Sequence, residues 1–219
     1  MGALVLDFDS TLTPHESLEL YLSRRVDGRA DVIDAIEELT RLGMDGAITF
    51  RESLERRLHL VAPERDGLVA LGHSLAESPT DGMVELVRGV IDRGHEPWIV
   101  SGGFVEVLRP MGARLGIPVE RVLGVRPLWH DDGSFAGLDP DDGFATSKVL
   151  GLREAGIAWP RPAVGVGDGA TDLALRSAGL VDQFVAYVEH ADRAPVRADA
   201  DHVAASSAEL ETLLRSLLP

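Results

Sequence analysis

Short uninterrupted apolar runs alternate along the chain with longer stretches that carry apolar residues at helical spacing. The runs end in polar or glycine-rich residues. Leu4–Phe8 carries Asp7 and runs into Asp9-Ser10-Thr11, Pro97–Val100 runs into Ser101-Gly102-Gly103, and Ala163–Val166 runs into Gly167-Asp168-Gly169. Met83–Arg93, Val105–Leu115, Ser147–Ala155 and Asp172–Ala178 read as helices between and after them. Unbroken apolar strands separated by helices predict an α/β fold with a Rossmann-like parallel sheet buried on both faces. Such sheets bind ligands beyond the carboxyl ends of their strands. The three polar run-ends therefore predict one shared site.

Residues 14–77 break this alternation. They read as helices at Pro14–Arg25, Asp31–Leu42, Ile48–Leu60 and Pro63–Leu75, with no convincing strand. The expected organisation is a core domain of residues 1–13 and 78–219, with a helical cap of residues 14–77 inserted after the first strand as a lid. Farther on, Arg121–Leu128 and Ser134–Leu138 flank His130-Asp131-Asp132-Gly133, which predicts a β-hairpin.

Composition narrows the function more than the fold. The 219 residues are 45% hydrophobic and 26% charged, ordinary values for a globular enzyme. The formal net charge of −15 argues against nucleic acid as a partner, because phosphate backbones need clustered Lys and Arg. The absence of cysteine excludes disulfides, zinc–thiolate sites and a cysteine nucleophile. No signal-peptide pattern opens the sequence and no run approaches a membrane span, so a cytoplasmic protein with no membrane partner is expected. Its oligomeric state, monomer or homodimer, is left open.

Asp7 and Asp9 fall on the same side if the extended backbone continues through them. Two carboxylates at a buried strand end are costly to ionise unless a cation or a reaction uses them. A carboxylate such as Asp7 can attack phosphorus, and a second such as Asp9 can act as general acid and base. Asp9 capping a turn is the alternative. Asp168 and Asp172 offer hard oxygen ligands suited to magnesium. Their loop does not fit the dinucleotide pattern G-x-G-x-x-G, though Thr171 could cap the following helix. Ser101 and the amides of Gly102 and Gly103 can bind phosphate oxygens, as many α/β loops can. Lys148 is the only lysine among 21 basic residues, which suggests a need for a compact ammonium in a chain that otherwise uses arginine.

Two residues between 14 and 77 carry competing explanations. Thr13-Pro14-His15-Glu16 matches a capping box, with Thr13 at the N-cap and Glu16 at N3. Arg57 falls on the apolar helical stripe of Phe50, Leu54, Leu58 and Val61, while Arg56 faces away. An arginine there needs an anion, or a path for its head to reach water.

Taken in order, Asp7-Phe8-Asp9-Ser10-Thr11, Ser101, Lys148 and Gly167-Asp168-Gly169-Ala170-Thr171-Asp172 resemble the four motifs of the haloacid dehalogenase superfamily of phosphotransferases. Within it the chain looks most like the phosphoserine phosphatases, which insert a helical cap after the first motif. The resemblance implies Asp7 as nucleophile, Asp9 as acid and base, and Ser101 and Lys148 as phosphate binders. It implies Mg2+ held by Asp7, the backbone carbonyl of Asp9 and Asp168, with Asp172 in support. It further implies Glu16 at the substrate ammonium, Arg57 at its carboxylate, Met44 and Phe50 closing over it, and Gly102, Gly103 and Thr171 beside it.

The chain departs from that pattern twice. Ala145-Thr146-Ser147-Lys148 stands where Gly-Lys-Gly-Lys is common, and Ala186-Tyr187-Val188-Glu189-His190 stands where a glycine-rich loop is frequent. The expected function is a magnesium-dependent hydrolysis of O-phospho-L-serine through an aspartyl-phosphate. The alternatives are a phosphatase or phosphotransferase for another small phosphorylated amino acid or amine, a receiver-like signalling module, and a non-catalytic phosphometabolite-binding protein.

Overall fold

The computed structural model describes residues 1–26, 28–44 and 47–219, apart from the side chains of residues 40, 43 and 44. Met44, expected over the substrate, thus has its side chain outside the described residues. Strand β1 (Ala3–Leu6) is wholly buried, as its apolar run demands. It pairs in parallel with β2 (Glu96–Phe104) on one side and β6 (Ala163–Gly167) on the other. β3 (Val122–Val125) adds beyond β2, while β7 (Gln183–Tyr187) and β8 (His202–Ala204) add beyond β6. The order is β3-β2-β1-β6-β7-β8. The chain builds outward from β1 in one direction and then crosses back to start β6. The order therefore reverses between β1 and β6, where a doubly wound sheet opens a ligand crevice. Asp7 follows β1 directly and Asp168 follows β6 directly.

Four helices follow β1: α1 (Ser17–Arg25), α2 (Ala30–Met44), α3 (Phe50–Val61) and α4 (Arg65–Glu77). α2 and α3 pack as a pair, while α4 lies along α6 (Val105–Leu115). Gly72 permits that close approach, since a Cβ there would sit 2.7 Å from the Val107 carbonyl oxygen. α5 (Met83–Asp92) buries Met83, Leu86, Val87 and Val90 and packs on β2. α7 (Lys148–Glu154), α8 (Ala170–Ser177), α9 (Ala194–Asp199) and α10 (Ser207–Leu217) complete the α-helices among the described residues. No described helix is long and apolar enough to cross a membrane.

The structure redraws several local boundaries. Residues 121–128 divide in two: Val122–Val125 joins the parallel sheet, and the hairpin pairs β4 (Pro127–Trp129) with β5 (Phe135–Leu138). Asp142 Oδ2 accepts the Arg126 N–H at 2.7 Å, anchoring the chain where it leaves the sheet. β7 and β8 were not anticipated from the pattern. α1 begins at Ser17, so the Thr13 capping box does not form; Glu16 itself takes the N-cap position, without a side-chain cap bond. Residues 8–15 wind into turns instead, with the Leu12 and Thr13 N–H groups returning to the Phe8 carbonyl. Extended backbone stops at Leu6, so Asp7 and Asp9 do not occupy successive same-side strand positions.

Candidate active site

A cavity of about 420 Å³ lies beyond the carboxyl ends of β1, β2 and β6, walled on the far side by α1 and α3. It collects every described side chain expected to carry chemistry, from Asp7 to Asp172. One part is built of carboxylates around a single ammonium. Ser147 caps α7 by accepting the Leu150 N–H at 3.1 Å, which sets Lys148 at the start of the helix. Lys148 Nζ lies 2.6 Å from Asp7 Oδ1 and 2.5 Å from Asp172 Oδ1. Burial alone would pull this ammonium down. Asp172 and Asp7 more than reverse that and raise its pKa, so Lys148 stays charged.

Asp172 accepts the Gly169 N–H at 3.1 Å and so closes the first turn of α8. Gly167 must lack a side chain, because a Cβ would sit 2.4 Å from Asp172 Cγ. Gly169, not Thr171, is the N-cap of this helix, and Thr171 lines the cavity. Burial pushes the Asp168 carboxyl up to about 6, with the Asp7 charge adding to it. Burial and Asp7 likewise raise Asp172, against the opposing pull of Lys148.

Asp9 stands apart from this cluster. Its carboxylate accepts the Ser17 N–H at 3.0 Å and the Ser17 hydroxyl at 3.1 Å. Burial holds its carboxyl well above the usual range, and the charges of Asp7 and Glu16 push the same way. A carboxyl so placed favours its protonated form and can donate a proton. Ser101 is buried in β2, its Oγ accepting the Gly103 N–H at 3.0 Å.

The α1 and α3 side of the cavity has different chemistry. Arg57 is only 5% exposed. Its Nε donates to the Ser53 carbonyl at 3.3 Å and its Nη1 to Glu19 Oε1 at 3.4 Å. Burial lowers its pKa and Glu19 partly restores it. Glu16 accepts from Ser10 Oγ at 2.8 Å. Phe50 is 45% exposed and lies over Gly102, its Cζ 4.0 Å from where a Cβ would be.

Three residues in contact with the site's side chains escaped the sequence reading. Arg193 Nη2 lies 2.9 Å from Asp168 Oδ2 and 3.5 Å from Glu16 Oε1. Ser17 holds Asp9, and Glu19 holds Arg57. Ser17 and Glu19 lie within one helical turn of Glu16, a spacing that could have exposed them. Arg193 is one of 20 arginines in a loop and gave no signal.

The residues fit a divalent cation. Asp7, Asp168 and Asp172 each present an oxygen, all within 4.8 Å of one another. Asp168 Oδ2 is buried without a hydrogen bond, since Arg193 is close but poorly aligned with it. Among the described residues, Lys148 and Arg193 are the cations paired with these three buried carboxylates, and an arriving phosphate would deepen that negative excess. Oxygen-only donors of this kind suit Mg2+.

The haloacid dehalogenase-like hydrolase family profile matches residues 4–176. Phosphoserine phosphatase of Rattus norvegicus is 31% identical over 205 residues, 90% of this chain and 86% of that one. A phosphoserine phosphohydrolase-like protein from Francisella tularensis superposes with a TM-score of 0.86 at 37% identity, covering 98% of this chain and all of the other. A phosphoserine phosphatase solved as a phospho-aspartyl intermediate analogue shares the fold, with a TM-score of 0.68 at 20% identity, covering 99% and 98% of the two chains. The chain belongs to the haloacid dehalogenase-like hydrolases and is a phosphatase of that family.

Proposed function

We propose that the protein hydrolyses O-phospho-L-serine to serine and phosphate, with Asp7 as nucleophile. The observation that carries the substrate is the pairing, in one cavity, of a phosphate end at Asp7, Ser101 and Lys148 with a buried arginine at Arg57 and carboxylates at Glu16 and Glu19. A phosphate ester bearing both an ammonium and a carboxylate matches that set. Residues 14–77 serve as the cap in this reading, and Phe50 closes over Gly102.

Asp7 attacks phosphorus, forming an Asp7 O–P bond as the P–O bond to serine breaks. Asp9 gives its proton to the departing serine oxygen. Asp9, now a carboxylate, takes a proton from water, which attacks phosphorus and releases phosphate from Asp7. Lys148 and Ser101 hold phosphoryl oxygens in place, and positioning with charge stabilisation supplies most of the rate. Asp7, Asp168 and the Asp9 carbonyl would hold Mg2+, with Asp172 in support. When bound, the ion would neutralise phosphoryl charge and orient the group for in-line attack.

Arg57→Ala tests the substrate. Its kcat/KM for phosphoserine should fall about a hundredfold or more, since a desolvated charge pair is lost. Turnover of p-nitrophenyl phosphate, which has no carboxylate, should change by less than about threefold in the same assay. An equal loss on both substrates would remove the carboxylate role. Preference for another phosphorylated amino acid or amine in a phosphate-release screen would replace phosphoserine.

A further inference from the structure

We propose that His190 is a positioning residue, tying the loop that carries Arg193 to the two linkers that join α1–α4 to the rest of the fold; this rests on the active-site reading above. Those linkers are residues 7–16 and 78–82, and they meet where the Thr80 N–H donates to the Leu12 carbonyl at 2.9 Å. Thr80 is buried, and its Oγ1 lies 3.0 Å from His190 Nε2. A threonine hydroxyl both donates and accepts, so this bond forms with either ring tautomer.

The segment after β7 is braced to make that reach. Tyr187 is fully buried, its hydroxyl donates to Glu189 Oε2, and its ring meets the His190 ring edge-on with centroids 6.3 Å apart. The Val188 N–H donates to the Ala204 carbonyl at 2.9 Å. Three residues beyond His190, Arg193 spans Asp168 and Glu16. Glu16 is held by Ser10, which belongs to the same linker as Leu12.

The contacts thus close a ring: Leu12 to Thr80, Thr80 to His190, along the backbone to Arg193, then Glu16, Ser10 and back to Leu12. Arg193 is half-exposed, and a long side chain on a surface loop loses its aim unless its backbone is fixed. The loop between Tyr187 and Arg193 has no strand or helix of its own. Ahead of Arg193 itself, the Thr80–His190 bond is a side-chain contact that pins this loop to the linkers.

A double-mutant cycle with phosphate release as readout tests this. His190→Ala and Thr80→Val should each raise KM for phosphoserine about three- to tenfold, with kcat within about twofold. The double variant should be no worse than either single one, and His190→Ala should have no further effect once Arg193→Ala is present. His190→Gln, which can return an amide nitrogen to Thr80, should restore KM to within about twofold. Unchanged KM in both His190→Ala and Thr80→Val overturns the proposal. So does a His190→Ala effect that multiplies undiminished onto Arg193→Ala. Should His190→Ala fail to fold, Thr80→Val and His190→Gln carry the same comparison.

A native protein that turns over p-nitrophenyl phosphate but not phosphoserine defeats the substrate reading, and the cycle is then decided on the aryl ester. Amide hydrogen exchange decides it without turnover. His190→Ala should speed exchange at Thr80 and residues 191–193 about tenfold, and unchanged exchange there would sink the strut.

Discussion

Strand β6 has an aspartate at each end, and the two live under opposite electrostatic conditions. At the amino end, Asp182 accepts the Ala163 N–H at 2.7 Å and a guanidinium N–H of Arg161 at 2.7 Å. Burial pushes that carboxyl up, but the amide and the arginine outweigh it and hold it below the usual range. At the carboxyl end, Asp168 also has an arginine beside it, yet its carboxyl is pushed up to about 6. An arginine neighbour is common to both, so it is not the difference. Asp168 is more deeply buried, shares its space with Asp7 and Asp172, and has one oxygen with no donor. The fold satisfies its charges where they only hold structure and leaves them in excess where a ligand will bring the balance.

The most forceful way to break that contrast is Asp7→Asn. In the proposed mechanism it removes the nucleophile, so phosphate release from phosphoserine should fall by about 10⁴-fold or more. It also removes like charge from beside Asp168 and Asp172, so metal-free thermal unfolding should not shift downward. Substantial retained turnover would mean the excess charge at this end serves something other than nucleophilic attack. A large drop in stability would mean the cluster is a structural network like that at Asp182.

A second test sharpens the contrast through pH. Asp168 has a folded pKa of about 6, above its unfolded value of about 3.9. Between those values the folded state binds the extra proton, so stability falls as pH rises through the window. For Asp168 alone the full loss is on the order of 3 kcal/mol without metal, and the raised Asp172 acts in the same direction. Saturating Mg2+ should cancel this slope by favouring the ionised carboxylates. Urea unfolding from pH 4 to 7, in Mg2+ and in EDTA, measures both lines. A flat EDTA line would mean that the carboxylates carry no unrelieved repulsion.

The same contrast explains what the sequence could disclose. Asp7, Asp9, Ser101, Asp168 and Asp172 were legible because each sits at or near the end of an apolar run, where the topology concentrates chemistry, and Lys148 because it is the only lysine among 21 basic residues. Arg57 was legible because one helical period exposes a charge out of place. Arg193 was not, because its role depends on a loop path that no periodicity encodes. Glu16 was half legible: its three-residue spacing from Thr13 read as a capping box, but the turns at residues 8–15 delay α1 to Ser17 and free Glu16 for Ser10 and Arg193. β8 is three residues long, and its identity as a strand comes from pairing with β7, a tertiary contact. The break at Arg126 that separates β3 from the hairpin depends on Asp142, 16 residues away.

The mildest test falls on the quiet end. Asp182→Asn keeps an oxygen to accept the Ala163 N–H and loses only the charge facing Arg161. The Asp182 side chain is 43% exposed, so solvent screens that pair and the cost should stay under about 1 kcal/mol. Because the native carboxyl is held low, its contribution is present above the unfolded pKa of about 3.9 and is lost as pH falls through the folded value. The variant should therefore be slightly less stable than the native protein at pH 7 and should converge with it at a second, acid pH below the folded value, while kcat/KM stays within about twofold. Thermal unfolding at the two pH values and a phosphate-release assay check all three. A change of tenfold in kcat/KM would show that the two ends of β6 are coupled, and the division between a satisfied end and a charged end would no longer hold.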